Sequence, residues 1–518
     1  MRKLLIVLAA IMLPVSIQAT ENEIQLNAKT HTFANGLQLV VVERHWSSTV
    51  SMIVRFKVGG ADEHPGITGT AHLLEHMLFK GTKDIGTTNY EAEVPIMAQI
   101  DTIAHALTAA VIKTRTPLYR GDGHEVDSLK AAIAKLQEKQ KQYIIKDELW
   151  ETYLENGGTT LNATTSNDGT QYFVSLPSNR LELWAYMESD RLRGPILREF
   201  YSERDVVYEE RRLRTDNDPG GKLWEQLYAA AFEAHPYHWP VVGWASDIET
   251  LTREGVSDFF HQYYSPNNVV VTIVGDVKFD DVVQMMEKYF GSIPASKTPP
   301  PPVSTVEPKQ TGERRISVEY DAEPEMAIAW HEPAGGGVDK EVFDIVASVL
   351  SRGRTSRLYK SLVEEKQLVT SVWANSDFSR YPDIFAISAT PKAPHTYDEV
   401  EKAIYDEIDR LKKDGPTDWE LQRTRNQIEA DFVRGMQSNL GMAFRLSDMQ
   451  ALIGDWSYIE KQKGLLEKVT SADVKRILTN YFMKDNRTIA FLVKPDEAQQ
   501  AKGHATIDKA QIQKVEAR

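Results

Sequence analysis

Short apolar runs at residues 37–42 and 50–58 read as strands, while the longer stretches between such runs carry apolar residues at helical spacing. Ile96, Ile100, Ile103 and Leu107 recur in this way, as do Val126, Leu129, Ile133, Leu136 and Tyr143, with Lys, Gln and Glu filling the gaps. That stretch, about residues 90–155, predicts a helical hairpin inserted into the first part of the chain. A solvated structural arm is its simplest role, with a lid or a partner-docking element as the alternative.

One pattern occurs twice. The segment from Thr252 lies over the segment from Thr470 without a gap, matching Val256 to Val474, Phe259 to Ile477, Tyr263 to Tyr481 and Asn268 to Asn486. Each copy reads as a capped amphipathic helix, a turn and an apolar strand, which argues for an internal duplication. The expected fold is therefore α+β, with two homologous domains, each a mixed β-sheet covered by helices. Residues 20–291 and 313–496 are assigned to these domains, joined by a Pro-rich linker at 292–312 and followed by a polar tail at 497–518.

The first 19 residues read as a secretory signal: Arg2 and Lys3 precede an apolar stretch, and Ala19 offers a small residue for cleavage. No later apolar run approaches a membrane span, so no stable span is expected in the mature chain. The 518 residues contain no cysteine, which excludes disulfides and a lipid-modified cysteine and fits a bacterial periplasm. Formal charge is -14, and loss of Arg2 and Lys3 takes it to -16, so nucleic acid is not an expected partner.

Candidate chemistry centres on His72-Leu73-Leu74-Glu75-His76. On a helix, His72, Glu75 and His76 share one face while Leu73, Leu74 and Met77 take the other, so imidazoles can face a cleft as leucines face a core. Two histidines four apart suit a zinc ion, which needs a third protein ligand and an open position for water. Glu210 is the best candidate, with Glu203 two turns earlier on the same stripe as acceptor for a histidine N–H. A charged helix surface paired with Arg204, Arg211 and Arg212 is the competing reading. His235 and His238 lie in a proline-flanked loop and read as structural.

The context GTAHLLEHMLFKGT, followed by ERDVVYEE, resembles the inverted-zincin metallopeptidases that include pitrilysin, insulysin and the mitochondrial processing peptidases. The resemblance spans roughly residues 30–495, interrupted by the helical insertion. It implies one zinc per chain, held by His72, His76 and Glu210 with Glu203 in support, and Glu75 as the catalytic acid–base. LNATTSNDGTQYF is similar to the family's substrate strand, which implies that Asn162 and Ala163 contact a peptide added to a sheet edge. A turn after Gly158 is the alternative for Asn162. Phe79, one turn beyond Glu75, is a candidate for the cleft wall or for burial under a neighbouring element.

Two departures from the family pattern matter. His76 and Glu210 are separated by more chain than usual, by about the length of the insertion, which loop closure tolerates. Active members also carry an arginine and a tyrosine in the C-terminal half, where this chain has Val363 and Thr370. Neither replaces the missing donors. Arg354, Arg357 and Tyr359 are nearby, and read as helix capping and packing. The expected function is a zinc metalloendopeptidase acting on peptides or unfolded segments, with a homologous partner, or a second copy of the chain, completing the site. The rival is a non-catalytic zinc-containing binding or assembly subunit. A serine or cysteine hydrolase finds no support, since cysteine and a strand-turn-helix G-x-S-x-G are both missing.

Overall fold

The computed structural model describes residues 26–116, 118 and 123–495; the signal-like leader and almost all of the polar tail fall outside the described residues. The first part of the chain supplies strands β1 (Lys29–Thr32), β2 (Gln38–Glu43), β3 (Thr49–Phe56), β4 (Thr159–Thr165), β5 (Thr170–Pro177) and β6 (Val269–Gly275). Its helices are α1 (Thr70–Met77), α2 (Tyr90–Thr114), α3 (His124–Gln140), α4 (Glu148–Glu155), α5 (Leu181–Arg193), α6 (Phe200–Arg211), α7 (Pro219–Ala231), α8 (Ala245–Ile248), α9 (Arg253–Tyr263) and α10 (Phe279–Phe290). The remainder supplies β7 (Arg314–Glu319), β8 (Met326–Glu332), β9 (Val369–Asn375), β10 (Asp383–Pro391) and β11 (Arg487–Val493). With these strands come α11 (Val338–Ser351), α12 (Tyr397–Asp414), α13 (Asp418–Gln437), α14 (Asn439–Ile453), α15 (Tyr458–Lys468) and α16 (Ser471–Tyr481).

Both sheets are mixed and, apart from the extra edge strand β1 of the first, share one strand order. The first runs β1-β2-β6-β3-β5-β4 and the second β7-β11-β8-β10-β9, so β6 and β11 take the same place. Each is parallel to one neighbour and antiparallel to the other. The duplicated segments repeat down to single hydrogen bonds. Thr252 and Thr470 cap their helices, while Asn268 and Asn486 donate to the carbonyls of Tyr263 and Tyr481 at 3.0 and 2.8 Å. These are the amphipathic helix and apolar strand expected from the pattern.

Strands β3 and β6 are buried nearly throughout because both faces of the sheet are covered. Met52, Val54, Val271 and Ile273 join the main core under α1 and α9, while Ile53, Val270 and Val274 face Met442, Ala443 and Leu446 of α14. The second sheet is covered in return by α7, whose Leu223 and Leu227 meet Ala327, Ala329, Ala386 and Ala490. Each half thus lends one helix to the other's sheet. Alanines on the receiving face let that helix approach closely.

In the insertion, α2 and α3 form the expected hairpin, and a third helix, α4, leads from it back to β4. One expectation needs correction. Helix α2, with 25 residues and a mean hydropathy of 1.3 over its most apolar window, has the length and composition of a membrane-crossing helix. A search for uninterrupted apolar residues overlooks it because Glu93, Pro95 and Asp101 break the run while Ala, Ile and Val dominate the average. In the fold, Met97, Ile100, Ala104, Leu107 and Val111 are buried along one face.

Candidate metal centre

Helix α1 begins on Gly69, whose φ of +88° lies in the left-handed region, and a Cβ there would meet the Val242 carbonyl oxygen at 2.5 Å. Glu63 supplies the cap that Gly69 cannot: its buried carboxylate accepts from the N–H groups of Gly69 and Ala71 at 2.8 and 2.7 Å. Burial pushes the Glu63 carboxyl well above its ordinary range against the pull of those two hydrogen bonds. Leu73, Leu74 and Met77 enter the core, leaving His72, Glu75 and His76 on the opposite face.

Helix α6 crosses that face. It brings Glu210 Oε1 within 3.7 Å of His72 Nε2 and Glu210 Oε2 within 3.4 Å of His76 Nε2. One ligand atom from each of the three residues lies within 4.8 Å of the others, and among the described residues this is the one such group of three. Glu203, on the same helix, lies 2.9 Å from His76 Nδ1. That bond leaves Nε2 of His76 directed at Glu210.

The electrostatics follow from burial and these contacts. Burial lowers the His72 imidazole to about 4, helped by the neighbouring His76. His76 is also penalised by burial, but hydrogen bonds to Glu203 and Glu210 outweigh it and raise the ring to about 9. For Glu203, burial is overcome by hydrogen bonds from His76 and Lys80, which bring it to about 2. Glu210 is lowered chiefly by its bond to His76. Glu75 is pushed up by burial, and the Thr165 hydroxyl, which donates to its Oε2, opposes that shift.

The other expected residues are placed as follows. Asn162 and Ala163 lie on β4, the edge strand of the first sheet, where Asn162 is exposed and its Oδ1 accepts from the Ala163 N–H at 2.9 Å. The Phe79 ring is packed against Trp150 and Tyr172, with centroids 5.5 and 5.7 Å away. Arg204 and Arg211 are buried and bonded to the carbonyls of Leu251 and Gly243, so they do not pair with Glu210. His235 is buried, and its Nδ1 accepts from the Tyr237 N–H at 3.3 Å.

Residues 39–104 match the family described as Insulinase (Peptidase family M16), and residues 250–428 match the Peptidase M16 inactive domain. The chain is 27% identical over 471 residues to the zinc protease PqqE of Helicobacter pylori, covering 90% of this chain and 92% of that protein. It is 25% identical over 451 residues to an uncharacterized zinc protease of Mycobacterium tuberculosis, covering 86% and 89% of the two. A crystal structure of a protease from Helicobacter pylori superposes with a TM-score of 0.76 at 26% identity, over 90% of this chain and all of that one (100%). The periplasmic protease PqqL from Escherichia coli shares the fold, with a TM-score of 0.67 at 15% identity over 91% of this chain and 48% of its own.

The two matched models and the relatives named zinc proteases support a pitrilysin-family metallopeptidase. The stretch matching the inactive domain contains none of the three clustered ligands. Val363 packs at the edge of the second core and Thr370 is exposed on β9, the two positions that the resemblance sets against an arginine and a tyrosine. Arg357 is no substitute, being committed to Glu420 at 2.7 and 2.8 Å and to the Gly415 carbonyl at 3.0 Å.

Sequence reasoning missed four contributors: Glu63, Lys80, Thr165 and Arg214. Lys80 and Arg214 had a legible signal, since each follows a candidate ligand by four residues and so shares its helix face or the extension of it. Lys80 Nζ lies 2.7 Å from Glu203 Oε2, and Arg214 Nη1 lies 2.6 Å from Glu210 Oε1. Glu63 and Thr165 reach α1 from a loop and a neighbouring strand, contacts that no local spacing announces.

Proposed function

We propose that this chain is a zinc-dependent metalloendopeptidase that hydrolyses peptides or unfolded segments. The observation that carries this reading is the convergence of His72, His76 and Glu210 within 4.8 Å, with the Glu75 carboxylate on the same helix face and outside that set. Two imidazole nitrogens and one carboxylate are a donor set that suits a catalytic zinc with a fourth position left open. Hydrogen bonding at His76 Nδ1 fits too, because it leaves Nε2 as the donor atom. Bound there, zinc supplies Lewis acidity, polarising a carbonyl and acidifying water.

The protein groups do the rest. Glu75 Oε2 is held by the Thr165 hydroxyl, so Oε1 receives the proton from the attacking water and passes it to the leaving amine. The raised carboxyl of Glu75 suits both directions of that transfer. An extended peptide adds to the free edge of β4, beside Asn162 and Ala163, which places a backbone carbonyl along α1. The arginine and tyrosine missing at Val363 and Thr370 come from a homologous partner subunit, making this chain the zinc-bearing member of a two-subunit assembly. The basic and apolar leader supports export to the periplasm.

The test compares wild type with Glu75→Gln for zinc content and peptide cleavage, each with and without co-expressed family paralogues. Retained zinc with cleavage lost at least a thousandfold, and wild-type cleavage raised by a paralogue, are the expected results. Equal cleavage by both proteins would remove Glu75 from the mechanism. Zinc-loaded wild type inert with every paralogue would favour the binding-subunit role instead.

A further inference from the structure

The inserted hairpin is wired to the metal ligands through one buried guanidinium. Arg198 lies two residues before α6 and is 1% exposed, yet it enters no part of the chemistry described above. All the hydrogen bonds of its guanidinium go to two places. Nη1 donates to the carbonyls of Lys80 and Ile85, and Nη2 donates to the Thr82 carbonyl at 2.6 Å, so the loop that follows α1 is folded around the guanidinium. Nε faces both oxygens of Glu93 at 3.3 Å, on the first turn of α2. Glu93 is 0% exposed and also accepts from Gln140 Nε2 of α3 at 2.9 Å, so both helices of the hairpin meet at this carboxylate.

The loop is shaped for this arrangement. Gly81 and Gly86 both have positive φ, and a Cβ on either would come within 3.1 or 2.8 Å of Arg198 Nη1. Lys80, whose carbonyl Arg198 grips, sends its ammonium to Glu203, which in turn holds His76 Nδ1. The hairpin also touches α6 directly beside Glu203, through Asp101 to the Tyr201 hydroxyl at 3.2 Å and Gln137 to Ser202 at 2.9 Å.

We propose that Arg198 is a positioning residue that couples the α2–α3 hairpin to the metal-binding imidazole of His76, by way of Lys80 and Glu203. This rests on the zinc reading given above. A hairpin that moved would shift the Lys80 carbonyl, then the ammonium, then the carboxylate that orients the ring. Loss of a residue that orients a metal ligand typically costs ~10 to 100-fold in affinity, so the coupling is large enough to measure.

The experiment is a zinc dissociation constant, measured by chelator competition on the full mature chain, for wild type, Glu93→Gln, Lys80→Met and the double variant. Arg115→Ala serves as control, because Arg115 ties the far end of α2 to Ser246 and Glu249 and touches nothing on this route. Glu93→Gln and Lys80→Met are each expected to weaken zinc about tenfold, with the double variant little worse than either and the control unchanged. Fully additive losses, or wild-type affinity in Glu93→Gln, would overturn the coupling alone. If Glu93→Gln does not fold, Gln140→Leu replaces it, with a severalfold loss expected and an unchanged constant counting against the proposal. Wild type that takes up no zinc would overturn the metal reading and the coupling together.

Discussion

Glu203 Oε1 lies 2.9 Å from His76 Nδ1, and the opposite oxygen of the same carboxylate lies 2.7 Å from Lys80 Nζ. One acid thus orients a candidate ligand and is itself held in place by a cation. The arrangement raises His76 to about 9 while burial lowers His72 to about 4, so at neutral pH the metal-free site carries one proton too many for metal binding. Zinc uptake at pH 7 is therefore expected to release about one proton from His76, falling toward none as the pH passes 9. Calorimetry in buffers of different ionisation enthalpy measures this, and release of no proton at pH 7 would contradict it.

The same pair sets how the metal-free protein responds to pH. His76 has a folded value of about 9 against 6.5 unfolded, so its contribution is full below 6.5 and is lost as pH rises through 9. Glu203 has a folded value of about 2 against 4.5, so its contribution is full above 4.5 and is lost as pH falls through 2. The two shifts share the Glu203–His76 contact, worth on the order of 2 kcal/mol and counted once, while Glu210 and Lys80 supply the remainder. Urea unfolding from pH 3 to 10 is expected to show a shoulder of stability between these limits that Glu203→Gln removes.

Thr165 offers a separate handle on Glu75. Its hydroxyl stabilises the charged carboxylate and opposes the rise caused by burial. Thr165→Val should therefore raise the Glu75 carboxyl further and move the acid limb of the kcat/KM profile to higher pH, with a loss at the optimum of about tenfold. A limb that stays in place would show that the hydroxyl does not act on the base.

Arg380 tests the seam between the two halves. From the loop before β10 it donates to Asp62 at 3.0 Å and lies 3.5 Å from Asp168, while its backbone N–H donates to the other Asp168 oxygen at 2.7 Å. Asp168 is buried and the Asp62 side chain is only 5% exposed, so Arg380→Met would leave two covered carboxylates without their cation. A loss of roughly 3 to 5 kcal/mol in unfolding free energy is expected, and Asp62→Asn in the same background should restore part of it. Chemical denaturation of wild type and the two variants decides this.

Much of the site was legible because its logic is local. The four-residue spacing of His72 and His76, with Glu75 between them, is fixed by helix geometry, and the seven residues from Glu203 to Glu210 likewise put both on one stripe. The duplication was legible in the same way, since Thr252 and Thr470 cap, and Asn268 and Asn486 bond, through contacts a few residues long. Membrane-length character in α2 is not legible in this way, because it belongs to an average over a window and not to a run.

By itself the sequence determined which residues could serve as ligands, which faces of the helices were apolar, and that one unit occurs twice. Tertiary structure alone decided that α6 crosses α1 so that Glu210 meets both imidazoles, that α7 and α14 exchange sheets, and that Glu63, Thr165 and Arg198 support α1 and the loop beyond it from distant segments. The physical reason is the range of the forces involved. Periodicity and capping act within a few turns of chain, whereas packing and buried hydrogen bonds join residues by distance in space, whatever their separation in sequence.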